Sequence, residues 1–191
     1  HVGAVTDADD VMAQSAYLFM GQMYLKDDNL NAAALAFEKA YKMPYDESTR
    51  ETAFYNYALA QSRGGRTPFS SSVKLFQDFL NKFPNSRYAS NVEDYIINSY
   101  MTSKDYDNAL LCIEALKSPS AKMMKAKQNV LYRLGMRELQ AGKTTSAADF
   151  LTRADELAQY DSKVAQEVKL WLAETRYRQK KYKQAQTLYN Q

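Results

Sequence analysis

Residue types that commonly carry out chemistry are scarce in this sequence of 191 residues. Its one histidine is His1, at the terminus, which excludes histidine-based catalytic triads, Cys–His pairs and HExxH metal sites. Its one cysteine, Cys112, lies in the apolar run ALLCIEAL without a neighbouring base, which predicts a small core residue and not a nucleophile. We therefore expect no enzymatic activity, no cofactor and no metal.

Two short segments resemble ligand-binding loops but lack the residues that such loops need. The pair Gly64-Gly65 is followed by Arg66 and Thr67 without the lysine of a phosphate-binding loop, so we interpret it as a hairpin loop. The run DADD, residues 7–10, lacks the glycine and distal glutamate of a calcium loop. This run is more typical of an acidic helix start, where carboxylates interact favourably with the helix dipole.

Charge is distributed unevenly, although the net charge is only +3. Residues 1–50 contain eight acidic and four basic groups, a net −4, whereas residues 161–191 contain three acidic and seven basic groups, a net +4. A nucleic-acid site is one interpretation of the basic C-terminal run, and a solvated hairpin end is the other. The run consists of Arg176, Tyr177, Arg178, Lys180, Lys181, Tyr182 and Lys183.

The elements that position these residues come from an internal repeat. Three similar phrases, YLKDDNLNAAAL, YMTSKDYDNAL and YRQKKYKQAQTL, begin at Tyr24, Tyr100 and Tyr177. A small residue that opens an apolar run recurs at intervals of 39, 37, 38 and 38 residues, which indicates a repeat protein. These anchor residues are Ala33, Ser72, Ala109, Ala147 and Ala185.

Each repeat contains two stretches in which apolar residues recur every three or four positions, the spacing of an amphipathic helix. Pro44, Pro84 and Pro119 follow second helices, and glycines lie between the helices of a pair. Ser86 and Ser162 are suited to capping the next first helix. The predicted helices are 16–26 and 30–43, 48–63 and 69–83, 88–103 and 106–117, 122–141 and 145–160, and 164–180 and 182–190.

This pattern resembles the tetratricopeptide repeat family. The resemblance rests on the pairs Met20-Gly21 and Leu134-Gly135, on the anchor residues, and on a large residue four positions after each anchor. A small residue in the first helix is expected to let the second helix approach through its own anchor alanine. Ile97, Phe79 and Leu116 depart from the pattern, which predicts wider helix pairs there. The large residues are Phe37, Phe76, Ile113, Leu151 and Tyr189.

The resemblance implies an all-α fold, a right-handed α-solenoid of about five helix-turn-helix repeats in a single domain. The predicted repeats are 14–47, 48–87, 88–121, 122–161 and 162–191. The long period and the segment FPNSRYA, residues 83–89, resemble repeats of bacterial envelope proteins. We therefore expect a periplasmic or outer-membrane-associated protein, with the cytoplasm as the alternative. The apolar residues near the C-terminus predict a fragment of a longer array, or that a partner or a second copy of the chain covers that end.

In this family the first helices line the concave face, so the resemblance implies a scaffold or adaptor that binds a peptide or protein there. The alternatives are nucleic-acid binding through the basic run and a spacer without a ligand. No apolar run is long enough to insert into a membrane. The candidate partner-binding residues are Gln22, Tyr55, Leu59, Asp94, Asn98, Met101, Tyr132, Met136, Glu174 and Tyr177.

Overall fold

The structure is a computed structural model that describes residues 2–64 and 69–190. These residues form ten α-helices and no β-strand, which confirms the predicted all-α fold of helical hairpins. We number the hairpins 1 to 5, from α1–α2 to α9–α10. The helices are α1 (Val2–Lys26), α2 (Leu30–Lys42), α3 (Glu47–Arg63), α4 (Phe69–Lys82), α5 (Ala89–Ser103), α6 (Tyr106–Glu114), α7 (Ala121–Gln140), α8 (Thr144–Asp155), α9 (Ser162–Arg178) and α10 (Tyr182–Tyr189).

The chain divides into two compact units, His1–Val92 and Glu93–Gln191. In the first unit α1 packs on α2, α2 on α3, and α3 on α4. In the second unit α6 packs on α7, α7 on α8, α8 on α9, and α9 on α10. Helix α2 is therefore covered on one side by α1 and on the other by α3, and α8 is covered in the same way by α7 and α9.

Most helix ends agree with the predicted ones within about two residues, and three do not. Helix α1 begins at Val2 and not at Ala16, because no proline interrupts the stretch between them and helix propagation is cooperative. The run 7–10 consequently lies inside α1 and is not a helix start. Helix α6 ends at Glu114 rather than Lys117, because the chain tightens into a turn in which the N–H of Leu116 donates to the carbonyl of Ile113.

Helix α8 ends at Asp155 and not at the predicted Tyr160. The chain continues as tight turns, in which the N–H groups of Leu157, Ala158 and Tyr160 each donate to the carbonyl three residues earlier. This hydrogen bonding is typical of 3₁₀ turns at the end of an α-helix. The tightened segment leads directly into the cap of α9.

The repeated phrase is the bend of a hairpin. Four bends place a residue in the left-handed region, always five positions before the anchor residue: Asp28 (φ 55°), Lys104 (φ 57°), Gly142 (φ 74°) and Lys180 (φ 60°). In hairpin 1 the next N–H, that of Asn29, donates to the carbonyl of Tyr24 over 2.8 Å, as a Schellman motif requires. Gly142 confirms the predicted glycine cap of hairpin 4, and Gly65 lies outside the described residues.

The anchor residues are the most consistently buried positions of the chain. All five are buried, with exposures of 0–5%. The large residues four positions later are buried in hairpins 1 to 4, whereas Tyr189 in hairpin 5 is 50% exposed. Cys112 is also buried, as predicted for a core residue. The register deduced from the 38-residue period is therefore confirmed by burial.

Within a hairpin, the nearest neighbour of the glycine in the first helix is the large residue of the second helix. The sequence predicts the anchor alanine there instead. A Cβ placed on Gly135 would lie 2.7 Å from Cγ of Leu151, and a Cβ on Gly21 would overlap the ring of Phe37. The alanine is one helical turn away from this contact. The reason is geometric: the large side chain reaches across the hairpin and rests on the bare backbone of the glycine.

The caps of the first helices are side-chain acceptors that follow the preceding second helix. Asp46 accepts from the N–H of Thr49 over 2.7 Å, and Ser120 from that of Met123 over 3.2 Å. Ser86 accepts from the N–H of Tyr88 over 3.0 Å, but Tyr88 precedes Ala89, the first residue of α5, so Ser86 forms a turn ahead of the helix and not the predicted cap. The cap of α9 is Asp161 and not Ser162, because its carboxylate accepts from two N–H groups of the first turn.

The described part of the chain lacks two classes of feature. No helix there is both long and apolar enough to cross a bilayer. No group of three or more histidine, cysteine or acidic side chains there has a geometry that could hold a metal ion.

Candidate functional site

The second unit contains an apolar cleft of about 330 Å³ between α5, α6 and α7, which we call the α5–α7 cleft. Its base is made of core residues with exposures of 0–6%: Ile96, Tyr100, Ala109, Ile113 and Val130. Ile97 and Met101 of α5 and Ala126 of α7 complete the apolar lining. The volume lies at the lower end of the range found for ligand pockets, about 300–1,000 Å³.

Two ion pairs stand at the edge of the α5–α7 cleft. The ammonium of Lys122 lies 2.9 Å from a carboxylate oxygen of Asp94, and that of Lys125 lies 3.0 Å from one of Asp161. Helix α7 supplies both lysines in successive turns, whereas α5 and the cap of α9 supply the carboxylates. The edge is therefore charged but electrically balanced, which favours a neutral or mixed-charge ligand over a strongly charged one.

A backbone hydrogen bond and an ion pair keep one of these carboxylates, that of Asp161, ionised. The N–H of Val164 and then the ammonium of Lys125 lower the pKa of Asp161 below its ordinary value. Asp161 thus stays ionised at neutral pH, where it caps α9 and holds Lys125. The ion pair beside the cleft is consequently tied to the start of the next hairpin.

Two tyrosines of this unit are held in the neutral form. Burial raises the pKa of Tyr100 well above its ordinary value, with a smaller effect of Cys112, which the phenol contacts. Burial also raises the pKa of Tyr132, and the hydrogen bond to Glu167 adds to the shift. Both phenols therefore stay protonated near neutral pH.

Two amide side chains near the α5–α7 cleft are incompletely hydrogen-bonded. Asn129 lines the cleft, and its Oδ1 is buried without a partner. The adjacent Gln128 is fully buried, donates to the carbonyl of Asp161 over 3.1 Å and leaves its own Oε1 unpaired. Buried acceptors without partners cost about 1–3 kcal/mol each. Such groups are uncommon and often mark a functional position.

The structure brings two of the predicted partner-binding residues to the α5–α7 cleft, Asp94 and Met101. Asn98 is exposed on the same helix, between them in sequence, but it does not line the cleft. On α7, Tyr132 is half-buried against the core of Ala148, Leu151 and Leu172, which the cleft does not include. Met136, one turn further along α7, is also half-buried.

The remaining predicted residues lie elsewhere. Gln22, Tyr55 and Leu59 are half-buried on first helices of the first unit, and the ring of Tyr55 stacks on that of Tyr88 at 4.2 Å. Glu174 of α9 forms an ion pair with Arg178 over 2.7 Å. Tyr177 is 55% exposed and makes an edge contact with Tyr182. The role of these residues in binding stays a prediction.

The basic C-terminal run spans the end of α9, the bend and the start of α10. Within it, Glu174 holds the guanidinium of Arg178, and the side chain of Gln179 accepts from Arg176 over 3.1 Å. The run is thus partly neutralised by its own neighbours. Binding of nucleic acid by this run remains a prediction from the sequence.

Sequence reasoning missed the α7 residues that border the α5–α7 cleft. They are Lys122, Lys125, Ala126 and Asn129, which recur at the three-and-four spacing of one helical face. The residues of α7 that the sequence predicts for binding begin about one turn later, at Tyr132. The spacing places these residues on one face of α7, but it does not show that this face borders a cleft, since the other walls come from α5 and α6.

Comparison with known proteins gives a family match and distant structural likenesses. Residues 52–86 match the family model of the tetratricopeptide repeat. No curated protein matches the chain.

Three solved structures illustrate the structural likeness. MamA (residue 41 to its end) from Desulfovibrio magneticus RS-1 is 16% identical, with 93% of this chain and 92% of that one covered and a TM-score of 0.43. PilF of Pseudomonas aeruginosa is 18% identical, with 95% and 76% covered and a TM-score of 0.38. A putative kinesin light chain of Podosopora anserina with TPR-like repeats is 12% identical, with 92% and 91% covered and a TM-score of 0.38.

These TM-scores are below 0.5, so the family rests on the sequence match and the repeated hairpins. The matched segment lies in hairpin 2, and hairpins 1, 3, 4 and 5 repeat its two helices and its buried anchor position. Residues 52–86 are therefore a tetratricopeptide repeat, and the resemblance drawn from the whole sequence is confirmed at the level of the family.

Proposed function

We propose that this protein is an interaction scaffold that binds a peptide segment of a partner protein in the α5–α7 cleft. Proteins built from this repeat are generally scaffolds and not enzymes. The observation that carries the proposal is an apolar base open to solvent between two balanced ion pairs. Location in a bacterial envelope is a prediction that the cleft does not bear on.

The chemistry of the α5–α7 cleft defines what the segment should contain. The cleft accepts an apolar side chain, since the side chains of Ile97, Met101 and Ala126 in its lining offer only carbon and sulfur atoms. Balanced charges at the edge favour a segment without a strong net charge. We therefore expect an apolar anchor within an otherwise polar peptide.

A cleft-filling substitution tests the proposal. Peptides selected from a random phage-displayed library on the wild-type protein are measured by fluorescence anisotropy against Ala126→Phe, which places a ring in the cleft. We expect the affinity to fall about tenfold or more, equivalent to about 1.4 kcal/mol. The matched control is Ala121→Phe, which adds the same ring at an exposed position of the same helix outside the cleft.

The outcome is decided by the contrast between the two variants. Affinity that is lost in Ala126→Phe and kept within about twofold in Ala121→Phe supports the cleft. Equal affinity in the wild type and Ala126→Phe would show that the selected peptides bind another surface. Asn98→Ala and Tyr132→Ala then test the predicted positions outside the cleft.

A further inference from the structure

We propose that Ile97 opens the α5–α7 cleft by holding α5 away from α6, and that it thereby determines peptide binding there. The inference deepens the proposed function, and its binding step rests on that function. Its packing step concerns the protein alone and does not depend on a partner.

Ile97 stands at a repeat position where other hairpins have a small residue. In the hairpins whose bend residue with positive φ lies five positions before the anchor, the residues twelve positions before the anchor can be compared directly. They are Gly21 in hairpin 1, Gly135 in hairpin 4 and Ala173 in hairpin 5, and all three are buried. Hairpin 3 has Ile97 there, which is half-buried. It therefore carries a bulky branched side chain where the others carry a hydrogen atom or a methyl group.

The two positions that touch in hairpins 1 and 4 border a gap in hairpin 3. In hairpin 4, a Cβ on Gly135 would lie 2.7 Å from Cγ of Leu151, so this side chain rests directly on the backbone of α7. The corresponding residues of hairpin 3 are Ile97 and Ile113, and both line the cleft of about 330 Å³. The buried anchor Ala109 forms part of the base of the same cleft. The gap thus lies where α5 and α6 would otherwise close on each other.

The bulk of the side chain at this position explains the gap. Packed helices approach only as far as the side chains at their contact allow, because protein interiors are close-packed. A glycine lets the large residue of the second helix reach the backbone of the first. The β-branched Ile97 cannot swing aside in the same way, since a β-branched side chain has one strongly preferred rotamer in a helix. The helices are therefore held apart at Ile97, and the space beside it stays open.

A second large residue acts in the same direction. Seven positions after the anchor, hairpins 1 and 4 have Ala40 and Ala154, both 0% exposed. Hairpin 3 has the buried Leu116 there, in the turn that follows α6. Of the two large residues that set hairpin 3 apart, Ile97 lines the cleft and Leu116 does not, so Ile97 is the one to test.

The packing step is tested by NMR of the protein without a peptide. Ile97→Gly gives hairpin 3 the residue of hairpins 1 and 4. We expect α6 to move onto α5, so that a nuclear Overhauser effect appears between the Ile113 methyl groups and the Hα protons at position 97. The same effect between the Leu151 methyl groups and Gly135 is the internal reference, because that contact is already closed. An absent Ile113 signal beside an observed Leu151 signal overturns the proposal.

A second variant guards against loss of α5 through a glycine in its interior. Ile97→Ala introduces the best helix former, which is also the native residue at this position of hairpin 5, Ala173. We expect a stronger Overhauser effect from the Ile113 methyl groups to the Hα proton at position 97 than the wild type gives. An unchanged intensity overturns the proposal as well.

The binding step uses the peptides selected on the wild type. Ile97→Gly and Ile97→Ala should weaken them about tenfold or more, whereas Ile97→Val, which keeps the β-branch, should bind within about twofold of the wild type. Helices that close while the affinity is unchanged would overturn the binding step together with the proposed function, and uphold the packing step. Helices that stay apart while the affinity falls would overturn the role of Ile97 and leave the proposed function standing.

Discussion

Hairpins 1 and 4 each have a buried glutamine at the same repeat position, but the two side chains make different hydrogen bonds. Gln14 of α1 and Gln128 of α7 stand three periods apart, are both fully buried, and both donate to the backbone carbonyl of the aspartate that caps the next first helix. Gln14 also accepts from the N–H of Asp46 over 2.7 Å. The equivalent oxygen of Gln128 has no partner.

The difference shows that the same residue at the same repeat position can contribute differently to the free energy of unfolding. The amide of Gln14 meets a loop whose carbonyls and N–H converge on it, so its polar atoms are satisfied. The loop before Asp161 comes after the tight turns that end α8 and presents only a carbonyl. The same buried glutamine therefore stabilises hairpin 1 and is partly unsatisfied in hairpin 4, next to the α5–α7 cleft.

The largest effect that distinguishes the two hairpins is expected at their glycines. Gly21→Ala should destabilise more than Gly135→Ala, because the rigid ring of Phe37 cannot give way as the flexible Leu151 can. Overpacking of this kind costs about 1–3 kcal/mol. Urea denaturation of both variants measures it. Two unchanged midpoints would mean that the hairpins are more loosely packed than the structure has them.

These glycines also show what the sequence could and could not predict. The period fixed the register, so that buried anchors and the bends at Asp28 and Gly142 were predicted to within a residue or two. The partner of each glycine was assigned wrongly, because a period gives equivalence between repeats and not the distance between helices. The full length of α1 was missed for another reason, since no breaking residue marks its start.

The burial of the two glutamines and the α5–α7 cleft could not be predicted from the sequence, for a physical reason. A glutamine among apolar residues looks like a surface residue until the carbonyls that it satisfies are known, and those lie about 30 residues further along the chain. Likewise, Lys122 and Lys125 become part of a site only because α7 lies against α5 and precedes Asp161. Long-range placement, and not local pattern, creates both features.

A paired substitution sharpens the contrast between the glutamines. Gln14→Leu should destabilise by about 1–3 kcal/mol, because it leaves the N–H of Asp46 and several carbonyls without a partner. Gln128→Leu removes one hydrogen bond together with an unpaired oxygen, so its cost should be under about 1 kcal/mol. Thermal denaturation followed by circular dichroism compares them. Equal losses would contradict the difference between the two loops.

A smaller effect is expected at the two bends. Asp28 and Gly142 both adopt positive φ, 55° and 74°, but only the glycine does so without strain. Gly142→Ala should destabilise by about 1 kcal/mol through the backbone alone, since no atom lies near enough to clash with a Cβ. Asp28→Gly should stabilise by a few tenths to about 1 kcal/mol. A stabilising Gly142→Ala would show that the bend of hairpin 4 can adopt another conformation.

The smallest expected difference concerns the capping aspartates and their response to pH and salt. Hydrogen bonds from Thr49 lower the pKa of Asp46, whereas the N–H of Val164 and then Lys125 lower that of Asp161. A carboxyl whose pKa is lower in the folded state contributes stability above its unfolded pKa of about 3.9 and loses it as the pH falls through the folded value. Both caps should therefore weaken in acid.

Salt separates the two aspartates, because screening acts on the ion pair and hardly on hydrogen bonds to the backbone. Raising the ionic strength should move the pKa of Asp161 upward, towards its ordinary value, and leave that of Asp46 nearly fixed. Lys125→Met should raise the pKa of Asp161 in the same direction and remove most of its salt dependence. Carboxyl chemical shifts followed by NMR during acid titration measure both values. A salt response of equal size at the two caps would show that the Lys125 pair does not persist in solution.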